Sequence, residues 1–191
     1  MNQPLISPQQ LQQRLLAEDN ITLLDASIEF QIPSESEKVK GQMIPGAIRF
    51  DYDKDFCNKH TLLPHMFPTE KHFNTRAQEI GINQDSTIVV YDNAGTFASP
   101  RAWWMFMAMG HNNVYILDGG LPAWIEAGYS TETDYRTEVK TGNFEGHIQD
   151  NYFVSAQQIE SCSTDSSNSL VISERSWSKA LISCCCWAAW F

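Results

Sequence analysis

The chain is poor in positive charge. Lys and Arg number 13 against 23 Asp and Glu among 191 residues, a net charge of −10 with a pI of about 4.8. A nucleic-acid partner needs a basic footprint, so that class is excluded. Long apolar runs are missing too. No stretch approaches the ~18 apolar residues that span a bilayer, so no membrane partner is expected. Met1-Asn2-Gln3-Pro4 has no basic region leading into an apolar run. No secretory signal is therefore expected, and the cytoplasm is the default location. The five cysteines (Cys57, Cys162, Cys184, Cys185, Cys186) are odd in number and lack the spacing of a disulfide framework. Three consecutive thiols cannot supply the spaced ligand pairs of a tetrahedral zinc site. The histidines (His60, His65, His72, His111, His147) lack ligand spacing as well. No metal and no cofactor are expected, and each histidine reads as solvent-facing or locally bonded.

Hydrophobic content is 42% and aromatic content 12%, enough for a sizeable core. Ser7-Pro8-Gln9-Gln10 reads as a helix start, with Ser7 capping, Pro8 in the first turn and Gln10 closing a capping box. Leu11, Leu15 and Leu16 are its expected buried face. Ile21–Ala26 and Ala47–Phe50 read as short strands, and Ser27–Met43 as a polar surface loop. Thr69 caps a helix with Phe73, Ala77 and Ile80 on one face, ended by Gly81. Asn113–Leu117 is another strand, and Asp118-Gly119-Gly120 turns into a helix from Leu121 to Ala127. Short strands alternating with helices imply α/β architecture, a central mostly parallel sheet flanked by helices on both faces.

The richest stretch runs from Thr87 to Gly110. An apolar strand, Thr87–Tyr91, ends at Asp92. The loop Asn93-Ala94-Gly95-Thr96-Phe97-Ala98-Ser99 follows, and Pro100-Arg101 opens an aromatic helix. A strand that turns sharply into a helix N-terminus converges backbone N–H groups and favours negative charge. The first position after the strand is where a nucleophile is best presented, and Asp92 stands there. Arg101, in the first helical turn, is open to two roles. It faces an anionic substrate shared with a partner domain, or it pairs with Asp92 or another local carboxylate and holds the loop shut. Trp103, Trp104 and Phe106 read as core or domain-interface residues.

Beyond a non-periodic segment at Tyr129–Tyr152, a linker or wrap-around stretch, the sequence repeats its own opening. Ile6-Ser7-Pro8-Gln9-Gln10-Leu11 corresponds to Val154-Ser155-Ala156-Gln157-Gln158-Ile159, and without a gap Leu23-Leu24 falls on Val171-Ile172. A tandem duplication is the expectation, with coincidence between two ordinary helix–strand units as its alternative. The apolar Ser183–Phe191 ending reads as a product of truncation or frame change, or as a short packed helix.

An ordered set of motifs resembles the rhodanese-like sulfurtransferases, above all the N-terminal domain of two-domain thiosulfate and 3-mercaptopyruvate sulfurtransferases. The pieces are Leu23-Leu24-Asp25-Ala26-Ser27, Ile44-Pro45-Gly46-Ala47 with Phe50-Asp51, Leu63-Pro64-His65-Met66 with Phe67-Pro68, Val89-Val90-Tyr91-Asp92, Ser99-Pro100-Arg101-Ala102-Trp103-Trp104, and Leu117-Asp118-Gly119-Gly120-Leu121 with Ala123-Trp124. The resemblance implies an α/β domain in which the active copy carries a cysteine after the central strand. That cysteine takes a sulfane sulfur as a persulfide and passes it to a thiophilic acceptor. By the same resemblance Asp92, Asn93, Ala94, Gly95, Thr96, Phe97 and Arg101 are the active-loop equivalents, and Met43 stands where the family usually has a histidine. A carboxylate cannot form a persulfide, so this copy is expected to be silent. A small anionic sulfur donor is expected as ligand only where a complete second domain is present. The expected organisation is a rhodanese-like domain over 5–130, a linker over 131–152 and the truncated start of a second domain over 153–191. A packing or regulatory anion-binding module is the alternative. An aspartate-nucleophile phosphotransferase is a remote one, because its second aspartate would fall at Ala94.

Overall fold

The computed structural model describes residues 3–17, 20–29, 37–61 and 65–155. The repeat from Ala156 onward, Cys162 and the cysteine-rich ending lie outside the described residues. Five strands form one parallel sheet: β1 (Leu5–Ile6), β2 (Ile21–Asp25), β3 (Ile48–Arg49), β4 (Thr87–Tyr91) and β5 (Val114–Leu117), in the order β1-β5-β4-β2-β3. The helices are α1 (Pro8–Leu16), α2 (Glu70–Glu79), α3 (Ser99–Ala108) and α4 (Gly120–Glu126).

Side chains alternate across the sheet, as the period of two requires. Leu24, Ile88, Val90, Val114 and Ile116 join a core with Phe73 and Ala77 of α2 and Ala102, Met105 and Phe106 of α3. Leu23, Val89, Tyr91 and Leu117 face the other way, against Leu11 of α1 and Leu121 and Trp124 of α4. A sheet buried on both faces explains why β4 is a continuous apolar run.

Local signals set most boundaries. The Ser7–Gln10 capping box forms in both directions, and the Thr69 side chain accepts from the His72 N–H. Leu11 is fully buried, but Leu16 is 74% exposed and does not join the face expected for it. It falls in the last helical turn, next to Leu15, which does pack against the core. The two-residue edge strand β1 escaped the sequence reading because it is too short to show a period. The Ser27–Met43 loop is less superficial than its polarity suggested. Ile28, Lys38 and Met43 are buried, and Lys38 Nζ donates to the Ile28 carbonyl at 2.8 Å.

Residues 131–153 run back along the domain. Glu132 and Met43 exchange backbone hydrogen bonds at 2.9 Å, and the Arg136 N–H donates to Ala47 at 2.9 Å. Further on, the polar face of α2 grips this strap. Gln78 Nε2 donates to the Phe144 carbonyl at 2.8 Å, Asn74 exchanges two bonds with Gly146 at 2.9 and 3.0 Å, and Glu70 accepts from the Ile148 N–H at 2.9 Å. The strap also caps α3: His147 and Gln149 N–H groups donate to Met109 and Ala108 carbonyls at 3.0 and 2.8 Å, which a helix end would otherwise leave unpaired. Gly142 has no room for a side chain, since a Cβ there would lie 1.9 Å from the Ile82 carbonyl oxygen.

Phe144 is the strap's apolar anchor. It is fully buried against Phe73, Phe106 and His111. Phe144→Ala is expected to cost about 3–5 kcal/mol in urea unfolding, and protease cleavage should appear first within 139–153.

Candidate active loop at the end of the central strand

The chain leaves β2 for β3 on one side and β4 for β5 on the other, so the C-terminal ends of β2 and β4 flank a topological switch point. Ligand sites of open α/β sheets form at such crevices. Asp25 closes β2 and Asp92 follows β4.

Asp92 is 1% exposed. Its Oδ1 accepts the Ala94 N–H at 3.0 Å. Its Oδ2 accepts the N–H groups of Phe97, Ala98 and Ser99 at 2.9, 2.9 and 2.8 Å, and the Ser99 hydroxyl at 2.8 Å. The loop therefore curls around its own carboxylate. The residue before α3, Ala98, has no capping side chain, and Asp92 does that work from six positions upstream. Burial pushes the Asp92 carboxyl above its ordinary value, against the downward pull of the Ser99, Ala94 and Phe97 donors.

Neighbouring segments hold the loop in this form. Asn93 donates its N–H to Ser27 Oγ at 2.9 Å, and its carbonyl and amide pair with the Val39 backbone at 2.8 and 3.1 Å. The Leu121 N–H donates to the Asp92 carbonyl at 2.9 Å, and Thr96 Oγ1 accepts from Gly119. Gly120 is required here: a Cβ would lie 2.0 Å from the Gly95 carbonyl oxygen. This is what the Asp118-Gly119-Gly120 motif does. On the β2 side, Asp25 accepts the Ser27 N–H at 2.9 Å, the Ser27 hydroxyl and the Tyr135 hydroxyl at 2.9 Å. The strap is thus latched to Asp25, which in turn holds Ser27, the acceptor for the Asn93 N–H.

Asp92 to Phe97 form one continuous unit, but Arg101 turns away from it. Its Nη2 donates to the His65 carbonyl at 2.7 Å, and its guanidinium lies 4.6 Å from the Trp104 ring centroid. The Asp92 carboxylate takes the loop N–H groups instead. Trp104 and Phe106 are core residues, and Trp103 is half-buried with its indole N–H on the Val114 carbonyl. Cys57 lies apart. It is buried, donates to the Asp53 carbonyl, and burial raises its pKa.

The sequence reading missed a second polar feature beside the loop. His65 Nδ1 lies 2.5 Å from Asp53 Oδ1, with the imidazole 38% exposed. His65 has φ of 57°, which no other non-glycine residue among the described residues approaches. Such a conformation costs on the order of 1–3 kcal/mol and marks sites where the surroundings impose it. Tyr52 lies within the fields of Asp53, Asp92, Arg101 and Arg49, so these groups share one corner of the molecule. The missed pairing spans twelve residues of irregular chain, where no period carries information. The signal available was His65 inside Leu63-Pro64-His65-Met66.

Asp92→Asn tests the loop directly. The amide keeps one acceptor oxygen but sets an N–H group against a loop donor, leaving a buried donor unpaired at about 1–3 kcal/mol. The raised carboxyl also holds its proton more tightly folded than unfolded. That contribution to stability is full below the ordinary carboxylate range and is lost as pH rises through the folded value. The stability gap between native and variant in urea titrations should therefore narrow with rising pH across that window and then level. A gap that widens would contradict the assigned direction.

The comparisons with known proteins converge on one family. The rhodanese-like domain model matches residues 7–127. The chain is 38% identical over 136 residues to the mitochondrial thiosulfate/3-mercaptopyruvate sulfurtransferase 1 of Arabidopsis thaliana, covering 69% of this chain and 35% of that protein. It is 45% identical over 82 residues to the 3-mercaptopyruvate sulfurtransferase of Escherichia coli K12, covering 42% of this chain and 28% of that one. Among solved structures, Escherichia coli SseA, a 3-mercaptopyruvate sulfotransferase described as having the rhodanese fold, superposes with a TM-score of 0.73 at 28% identity, over 85% of this chain and 62% of its own. The chain thus spans about a third of the length of these curated relatives. Among the described residues no helix is long and apolar enough to cross a membrane. The parallel sheet, the loop after its middle strand and the matched residues fall together, and the chain belongs to the rhodanese-like domain family.

Proposed function

We propose that this chain is the non-catalytic domain of a thiosulfate/3-mercaptopyruvate sulfurtransferase, silent in sulfur transfer and serving as the packing partner of a catalytic domain. One observation carries the reading. The cradle that would stabilise a thiolate or persulfide is filled by the chain's own Asp92 carboxylate, whose oxygens accept from four backbone N–H groups and the Ser99 hydroxyl. A sulfur donor entering the loop would have to displace a covalently attached anion. The same occupancy argues against the phosphotransferase reading, since Asp92 turns its oxygens inward and is 1% exposed. It also argues against a regulatory anion site in this loop.

The surface beside the loop supports the packing role. His65 and Asp53 form a half-exposed pair next to Arg101. An imidazole oriented by a carboxylate is equipped to move a proton, and Asp92 stands where an active copy of the family would carry its thiol. We read it as a group lent to a site completed by the rest of the protein. Phe153, where the strap ends, packs on Phe67 and Trp104 at ring separations of 5.1 and 5.3 Å. Phe153 thus packs on the same indole that the Arg101 guanidinium lies against.

The purified chain incubated with cyanide and either thiosulfate or 3-mercaptopyruvate should form thiocyanate no faster than a protein-free blank. Its activity should appear when a complete second domain is supplied. Turnover by the chain alone, unchanged when its cysteines are replaced, would defeat both the silent reading and the persulfide account.

A further inference from the structure

We propose that Arg101 is a positioning residue: it holds the backbone at His65 in the left-handed conformation and so aims the imidazole that Asp53 grips. The inference rests on the reading above, in which the His65–Asp53 pair is lent to a shared site.

A non-glycine residue at φ of 57° does not stay there unaided. The carbonyl of His65 is bonded by Arg101 Nη2 at 2.7 Å. Arg101 is itself immobilised. Its guanidinium lies 4.6 Å from the Trp104 ring centroid. Trp104 is held in turn by Phe67 and Phe153, each at 5.3 Å, and those two rings meet at 5.1 Å. A planar cation suits this place. It stacks on the indole while its N–H groups stay in the plane to donate, which an ammonium group cannot do. The donor thus arrives pre-oriented on the first turn of α3, whose position is fixed by the Asp92 cap. Two contacts then determine the imidazole: Arg101 on the carbonyl side of His65, and the 2.5 Å contact from Nδ1 to Asp53 Oδ1 on the ring. Asp53 sets the tautomer, and Arg101 sets the direction in which the other ring nitrogen points.

This role differs from those open to Arg101 in the sequence. It needs no anionic ligand and no pairing with Asp92. It also explains why an arginine stands two residues into a helix whose N-terminus repels cations. The local cost is met by a carbonyl acceptor and an aromatic face.

The test is imidazole and amide nitrogen NMR on the full chain with no sulfur donor present. In the native chain His65 should show one tautomer, with Nδ1–H bound to Asp53. In Arg101→Met its ring signals should move to the averaged positions of free histidine, while the amides of Ala94, Phe97, Ala98 and Ser99 keep their shifts. Arg101→Lys, which retains a donor but cannot stack, should give an intermediate result. Trp104→Leu, which leaves the guanidinium and removes its platform, should reproduce the His65 change. Unaltered His65 signals in Arg101→Met would overturn the proposal. So would a joint shift of His65 and the Asp92-loop amides, because Arg101 would then support the fold as a whole. Thiocyanate formation by the chain alone would undo the silent reading and leave this result standing.

Discussion

The Asp92 carboxylate is the constraint around which the domain closes. A strand that turns at once into a helix leaves several N–H groups pointing at one place, and burying them unpaired costs about 1–3 kcal/mol each. Asp92 meets four of them and the Ser99 hydroxyl with one side chain. Because those bonds fix the loop, its outer side becomes a surface to build on. Val39, Ser27 and Leu121 all bond to the backbone of Asp92 or Asn93. The close approach of Gly120 to Gly95 follows from the same curl. Stability and silence therefore have one cause, since the group that completes the cradle also keeps other anions out of it.

The topology explains why this loop and no other carries the feature. Parallel strands deliver their C-terminal ends to one side of the sheet, and the switch between β2 and β4 opens a crevice there. Each flanking strand brings an aspartate to this end, Asp25 as the last residue of β2 and Asp92 just after β4. Asp25 turns its carboxylate to Ser27 and Tyr135, and Asp92 turns its own to the loop. Two buried carboxylates a few residues from each other in space are tolerated because each is hydrogen-bonded. Ser27 links them, accepting from Asn93 while it donates to Asp25. The strap joins through Tyr135, so the far segment of the domain reports on the loop.

Much of this was legible in the sequence because it is local. The capping box at Ser7, the Thr69 cap and the apolar β4 run are written within a few residues, and the loop after β4 follows from them. The ordered motifs identified the fold for a related reason: Asp118-Gly119-Gly120 is weak alone, and its partner Gly95 gives it meaning. What escaped depends on distance. Arg101 has a much nearer candidate partner in sequence, Asp92, and only the folded chain shows that carboxylate saturated by N–H groups. His65 and Asp53 meet across an irregular stretch with no period to read. β1 is two residues of backbone pairing, and its identity lies in β5, more than a hundred residues away.

The α2 strap interface shows the same limit in another form. Glu70, Asn74 and Gln78 recur at every fourth position, which reads as a solvated helix face. Four helical residues advance about 6.0 Å, and two extended residues advance about 6.6 Å. A polar stripe on a helix can therefore stay nearly in step with alternate residues of an extended segment. Here it meets Ile148, Gly146 and Phe144 in turn. The stripe pairs with backbone, so the partner sequence need carry only the glycines that permit approach and Phe144 that fills the core. Neither leaves a periodic trace in residues 139–153. Because the strap ends with Phe153 against Trp104, the grip of α2 also decides where the chain stands as it passes the Arg101–His65 corner.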